Sequence, residues 1–126
     1  MERNKSYREL EVWKESRKLV KSIYLLTKKF PDDEKWCLTQ QIRRAAISIP
    51  SNIAEGIGRN HTKDTIQFLF TSRGLLYELE TQLYISFDLE YLKEANLESA
   101  LQECGQVGKL LSGFINYYES KLNTAH

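Results

Sequence analysis

Apolar residues recur every three to four positions along most of this chain, and nowhere do they alternate in the two-residue rhythm of a strand. Four stretches carry the helical period. In the first, about residues 9–29, Val12, Trp13, Ser16, Leu19, Val20, Ile23, Tyr24 and Thr27 form one stripe that stops at "FPDD". The second, about 34–58, follows Asp32 and Asp33, acids suited to a helix N-terminus. It carries Leu38, Ile42, Ala45, Ala46, Ile49, Ile53 and Ile57, and "GIGRNHT" ends it. The third spans about 62–89. The fourth, about 96–121, shows a heptad-like seam of Leu97, Leu101, Cys104, Gly108, Leu111, Ile115 and Tyr118. The connections are short, which makes successive helices antiparallel neighbours. The pattern predicts an all-α fold: one domain over residues 1–126, an up-and-down four-helix bundle with loose tails at 1–6 and 122–126.

The third helix is apolar around too much of its circumference. Phe68, Leu69, Leu75, Leu76, Leu79, Leu83 and Phe87 fill one broad face, while Ile66, Phe70, Tyr77 and Tyr84 make a second stripe. A bundle core needs only one face. The second stripe therefore either lines a subunit interface, where aromatics are enriched, or packs into a widened core. Arg73 and Glu80 project between the stripes. Half-buried charges need partners, so these two are expected to pair with each other or across an interface.

"AAISIPSNIAEG", residues 45–56, places Ser48, Pro50, Ser51 and Asn52 inside the second helix. A helical proline removes a backbone donor and crowds the carbonyl four residues back, here that of Ala46, at about 3 kcal/mol unless the helix kinks. Ser48, Ser51 and Asn52 are placed to serve the carbonyls so freed. With Gln41, Arg44, Glu55 and Arg59 they form a polar side, on which Glu55 and Arg59 have the favourable i, i+4 spacing. A structural kink is the expected role, ahead of a binding surface. Catalysis would need a base beside the serines, and neither His61 nor His126 shares the stripe.

Composition adds little, but its distribution adds more. The 126 residues are 41% hydrophobic, enough for one core without staples, and the formal net charge is +1. Residues 1–63, however, hold 14 Lys/Arg against 8 Asp/Glu, and residues 64–126 hold 4 against 9. Lys14, Arg17, Lys18, Lys21, Lys28 and Lys29 share the outer face of the first helix, with Arg8 nearby and Glu15 at the margin. Arg43, Arg44, Arg59 and Lys63 extend this basic surface. Such a stripe is a footprint for phosphate contacts. The competing readings are an ordinary solvated helix face and a head-to-tail contact with the acidic third and fourth helices of another copy. No set of exposed aromatics is foreseen, so any nucleic-acid contact is expected to follow shape and charge.

Other chemistry finds no footing. Cys37 and Cys104 sit in apolar patterns without CxxC spacing and are expected to be reduced core residues of a cytoplasmic protein. The charged N-terminus lacks the apolar run of a signal peptide. No stretch approaches the ~20 apolar residues of a membrane span, and "NHT" at 60–62 is an idle glycosylation match. Two histidines with two distant cysteines make no zinc pattern, and no Glu-x-x-His pair for a di-iron bundle occurs. "GIGRN" lacks the phosphate-loop pattern. Glu78 and Glu80 lie on different helix faces and make no carboxylate dyad. No enzyme activity, cofactor, metal or small-molecule substrate is expected.

Two blocks carry a family likeness. "FPDDEKWCLTQQIRRAAISIPSNIAEGIGR", residues 30–59, and "FLFTSRGLLYELETQL", residues 68–83 with Gly74 and Glu78-Leu79-Glu80-Thr81, resemble the four-helix-bundle proteins encoded within bacterial 23S ribosomal-RNA intervening sequences. The likeness runs from about Tyr7 to Leu122. It marks Ser48, Pro50, Ser51, Asn52, Glu55, Gly56, Arg73, Glu78 and Glu80 as family-motif positions. Two departures are Leu75, where the block more often has Ser, and Cys37, where Gly is common. The resemblance implies a bundle that assembles into a ring, typically a pentamer, without enzymatic activity. A related branch serves diversity-generating retroelements, binding reverse transcriptase and nucleic acid. The expected function is thus a non-enzymatic oligomeric bundle binding structured RNA or a nucleoprotein through its basic face. The alternative is a protein-interaction scaffold without nucleic-acid affinity.

Overall fold

The computed structural model of the chain describes residues 6–123. The tails 1–5 and 124–126, with His126, lie outside the described residues. Four helices, α1 (Glu11–Thr27), α2 (Leu38–Ile57), α3 (Thr62–Asp88) and α4 (Glu94–Asn123), carry the fold, and no strand occurs among the described residues. Ser6 is already engaged, its hydroxyl accepting the Arg8 amide at 3.2 Å to cap a 3-10 turn over Tyr7–Glu9. Leu122 and Asn123, expected in a loose tail, are helical instead.

α1 ends where Thr27 folds back, its hydroxyl donating to the Ile23 carbonyl at 2.8 Å, just before Pro31. α2 then starts four residues later than its acids predict. Asp32–Glu34 instead form a separate 3-10 turn, and the Glu34 carboxylate accepts the Leu38 amide at 3.3 Å and the Tyr91 hydroxyl at 2.6 Å. The Tyr91 hydroxyl is pushed up to about 12, first by that hydrogen bond, then by burial and the charges of Glu34 and Asp33. At its other end, α3 closes with Tyr91 N–H bonded to Ser86 and Glu90 N–H to Phe87, each at 2.9 Å. Glu90 takes the left-handed conformation (φ 66°) that glycine usually fills in this cap.

Each helix packs on its chain neighbours, and α1 closes against α4. The pairs run antiparallel: the Thr65 hydroxyl donates to Gly56 at 2.7 Å and the Ser72 hydroxyl to Ile49 at 2.9 Å, seven residues down one helix for seven up the other. The core is aliphatic. Leu19 and Ile23 of α1 meet Ile42, Ile49 and Ile53 of α2, Leu69, Leu76, Leu79 and Leu83 of α3, and Val107, Leu111 and Ile115 of α4. Cys104 is buried there, and desolvation, followed by the charges of Glu80 and Glu103, pushes its thiol up to about 12. Cys37, by contrast, is exposed. The core placement expected for it fails because α2 begins only after it.

The α2/α3 seam explains the end of the "SIPSNIAEG" motif. A Cβ on Gly56 would stand 2.6 Å from the Phe68 Cβ and 3.3 Å from the Thr65 carbonyl, so only glycine admits this approach. α2 continues through Pro50 as one α-helix, as the helical period over this stretch predicts. Ser51 donates to the Ile47 carbonyl at 3.0 Å and the Asn52 amide to that of Ser48 at 2.8 Å; among the described residues neither side chain reaches the Ala46 carbonyl that the proline leaves without its helical donor. The Ser48 hydroxyl has no such role among the described residues.

Candidate nucleic-acid interface

The outer face of α1 is set by the helix that buries its opposite side. With Val12, Ser16, Leu19, Ile23 and Thr27 turned inward, Lys14, Arg17, Lys18, Lys21, Lys28 and Lys29 are all exposed. Among the described residues one acid pairs with this row: Lys18 Nζ lies 3.2 Å from Glu15, a contact worth at most about 1 kcal/mol at such an exposed site. Arg17 is partly stacked, its guanidinium 4.9 Å from the centre of the Trp13 ring. A groove beside this face, lined by Trp13, Arg17, Val20, Ile47 and Pro50, separates α1 from α2. Pro50 is thus a buried wall between two helices.

The remaining basic candidates divide. Arg44 is exposed on the outer side of α2. Arg43 is turned the other way: its Nε donates to the Thr27 hydroxyl at 2.8 Å, its guanidinium reaches the Tyr24 carbonyl at 3.4 Å and lies 4.3 Å from the Tyr24 ring centre. The guanidinium therefore clamps α2 to the last turn of α1 and supplies little to an outer surface. Arg59, at the far end of α2, stands 3.6 Å from Glu55 and stacks 4.7 Å above Phe68, while Lys63 is exposed at the start of α3. The geometry groups Lys14, Arg17, Lys18 and Lys21 on one face and leaves Arg59 and Lys63 at the bundle end where α1 begins.

The second stripe of α3 resolves into two parts. Ile66 is only 8% exposed and packs within its own chain, because it sits one turn from the close α2/α3 contact. Phe70, Tyr77 and Tyr84 are 36%, 58% and 53% exposed. Arg73 and Glu80 do not pair with each other: the Arg73 guanidinium lies 4.8 Å above the Phe70 ring, and among the described residues neither has an opposite charge within salt-bridge distance. Burial alone pushes the Glu80 carboxyl above its ordinary range. Glu78 is exposed, its carboxylate accepting from the Gln82 amide at 3.3 Å. Leu75, a departure from the family block, is half-buried against the core.

Tyr77 and Tyr84 are exposed as part of the second stripe, but Trp36, on the α1–α2 connection and 74% exposed, was not foreseen from the pattern. Periodicity is silent on connections, and only the neighbouring lysines hinted at solvent there. The hydroxyls of Thr65 and Ser72, which bind the seam, were also missed. Their signal is a seven-residue spacing of small polar residues, Thr65 facing Gly56 and Ser72 facing Ile49.

Among the described residues, no group of three or more His, Cys, Asp or Glu is arranged to hold a metal ion, and no helix is long and apolar enough to cross a membrane. What the surface offers chemically is a row of cations. The family model of the 23S rRNA-intervening sequence proteins matches residues 8–113. A crystal structure of a protein of unknown function from the S23 ribosomal protein family of Bacteroides thetaiotaomicron is similar, with a TM-score of 0.76 and 27% identity over 82% of this chain and 97% of that one. No curated protein matches. With its helices in place and the family model spanning α1 to α3 and most of α4, the chain belongs to the 23S rRNA-intervening sequence protein family.

Proposed function

We propose that this protein is a non-enzymatic, ring-forming bundle of the cytoplasm that binds structured RNA or a nucleoprotein through the outer face of α1 and the exposed start of α2. The observation that carries this reading is the run of exposed cations from Lys14 to Lys29, met by one carboxylate at Lys18. Lysines and arginines spaced along a helix meet the phosphates of a folded RNA without needing a base sequence. Assembly uses a different surface, the Phe70, Tyr77 and Tyr84 stripe of α3, so the α1 cations stay available. By family resemblance the ring is a pentamer.

Binding of an RNA hairpin and a matched DNA duplex across a salt series tests the reading. The expected result is affinity that falls with a slope of roughly −3 to −5 in log–log form, as counterion release at a handful of phosphates requires. Absence of binding at low salt would remove it. The second reading, a scaffold for another protein, is favoured by the same α3 stripe, whose aromatics are the kind enriched at protein contacts. Light scattering that gives a monomer mass at micromolar concentration would sink the ring and leave the stripe to such a partner.

A further inference from the structure

The basic face of α1 runs to the end of the bundle where α1 hands over to α2, and there the chain presents Trp36. Among the described residues it is the most exposed of the large apolar side chains. The connection that carries it is braced. Glu34 accepts the Tyr91 hydroxyl at 2.6 Å and the Leu38 amide at 3.3 Å, and the Cys37 amide donates to the Glu34 carbonyl at 2.9 Å. Tyr91 in turn lies against Phe30, ring centres 5.3 Å apart. The indole is therefore held out to solvent by a connection tied to the bundle on both sides of it. Lys35 lies 5.4 Å from the ring centre and lends a positive charge to one face.

The charges around this end are mixed. Lys28 and Lys29 close α1, Lys35 adjoins the indole, and Arg44 is exposed beside Arg43, whose bonds to Tyr24 and Thr27 fix that turn of α2 against the end of α1. Asp32 and Asp33, exposed on the same connection, disfavour phosphate close to them. A flat aromatic among cations is the chemistry that receives an unpaired nucleotide: the base stacks on the ring and its phosphates meet Lys and Arg. A continuous duplex offers no free base face.

We infer that Trp36 is a stacking platform for an unpaired base, so that the basic face takes RNA at a single-stranded loop or junction in preference to uninterrupted duplex. The inference rests on the RNA-binding reading above and sharpens it, because recognition then needs an unpaired base as well as charge.

The chain has two tryptophans. Trp13 is half-buried under Arg17 and beside Tyr7. Trp13→Phe thus leaves Trp36 as the sole indole reporter. This variant is titrated at low salt with an RNA hairpin bearing a single-stranded loop and with a blunt RNA duplex of equal length, following tryptophan emission. In parallel, Trp36→Leu, its helicity checked by circular dichroism, is compared with wild type by anisotropy of the same labelled RNAs. The expected result is quenching by the hairpin alone and a roughly tenfold loss of hairpin affinity in Trp36→Leu with duplex affinity unchanged. Hairpin binding without quenching, and undiminished in Trp36→Leu, overturns the stacking role while the basic face stands. Emission already shielded from solvent in the free protein and unmoved by RNA overturns it in favour of a second copy covering Trp36. Failure of both RNAs to bind removes the basic-face reading, and the stacking role with it.

Discussion

The two sides of α3 are built from different residues for different neighbours. Toward α2 it offers Thr65 and Ser72, whose hydroxyls reach carbonyls of the facing helix, and it approaches so closely that Gly56 has no room for a Cβ. Away from the bundle it offers Phe70, Tyr77 and Tyr84, with Gly74 between them meeting nothing within 4 Å of a would-be Cβ. The first side is small, polar and fully matched inside one chain. The second is large and aromatic and keeps its groups facing outward, with Arg73 lying over its own helix neighbour Phe70 and Glu80 without a counter-charge among the described residues. Residue size along one helix thus separates a contact completed within the chain from one suited to a neighbour outside it.

The seam breaks most easily at Gly56. Gly56→Ala is expected to destabilise the fold by roughly 1–3 kcal/mol through overpacking, despite the better helix propensity of alanine, and a urea melt measures it. Next comes Ser72→Ala, about 1 kcal/mol for a lost buried hydrogen bond. Thr71→Ala, whose hydroxyl serves only its own helix at Gln67, gives its control and should change little. On the outer side, Tyr77→Ala with Tyr84→Ala should leave the stability of the fold within about 0.5 kcal/mol yet lower the assembled mass in light scattering. An unchanged mass would return the stripe to a solvated surface.

The smallest effect concerns Glu80. Its carboxyl is raised in the folded chain by burial, so the ionised form opposes folding above the unfolded value, and the penalty fades as pH falls through the folded one. Glu80→Gln is therefore expected to raise the melting temperature slightly at neutral pH, with the gap closing under acid. A lowered melting temperature at neutral pH would mean that the carboxylate meets a cation in the assembly.

Periodicity found all four helices because each buries one aliphatic face, and α3 came within a residue of its ends. It failed at the start of α2 for a definite reason. The Glu34 carboxylate is held by Tyr91, 57 residues away, and no local pattern shows such a bond. Through Pro50 periodicity read one continuous helix, and α2 runs on there, with the Ser51 and Asn52 side chains bonded to the Ile47 and Ser48 carbonyls. Of the basic candidates, Lys14, Arg17, Lys18 and Lys21 were legible because a helix wheel places them opposite the core. Arg43 and Arg44 are adjacent in sequence yet face different ways, and separating them requires knowing where α1 lies. Trp36 escaped notice because a connection has no period to read.

The central claim is that the outer face of α1 holds RNA. Its most direct test pairs two charge reversals: Lys14→Glu with Lys18→Glu and Lys21→Glu on α1, and Lys93→Glu with Lys109→Glu on the α3–α4 connection and α4, both sets exposed. Hairpin affinity is measured for each at one low salt concentration after assembly has been checked. The account predicts loss of binding in the α1 set and near wild-type binding in the control. Equal binding by the α1 set, or equal loss in both, would contradict it.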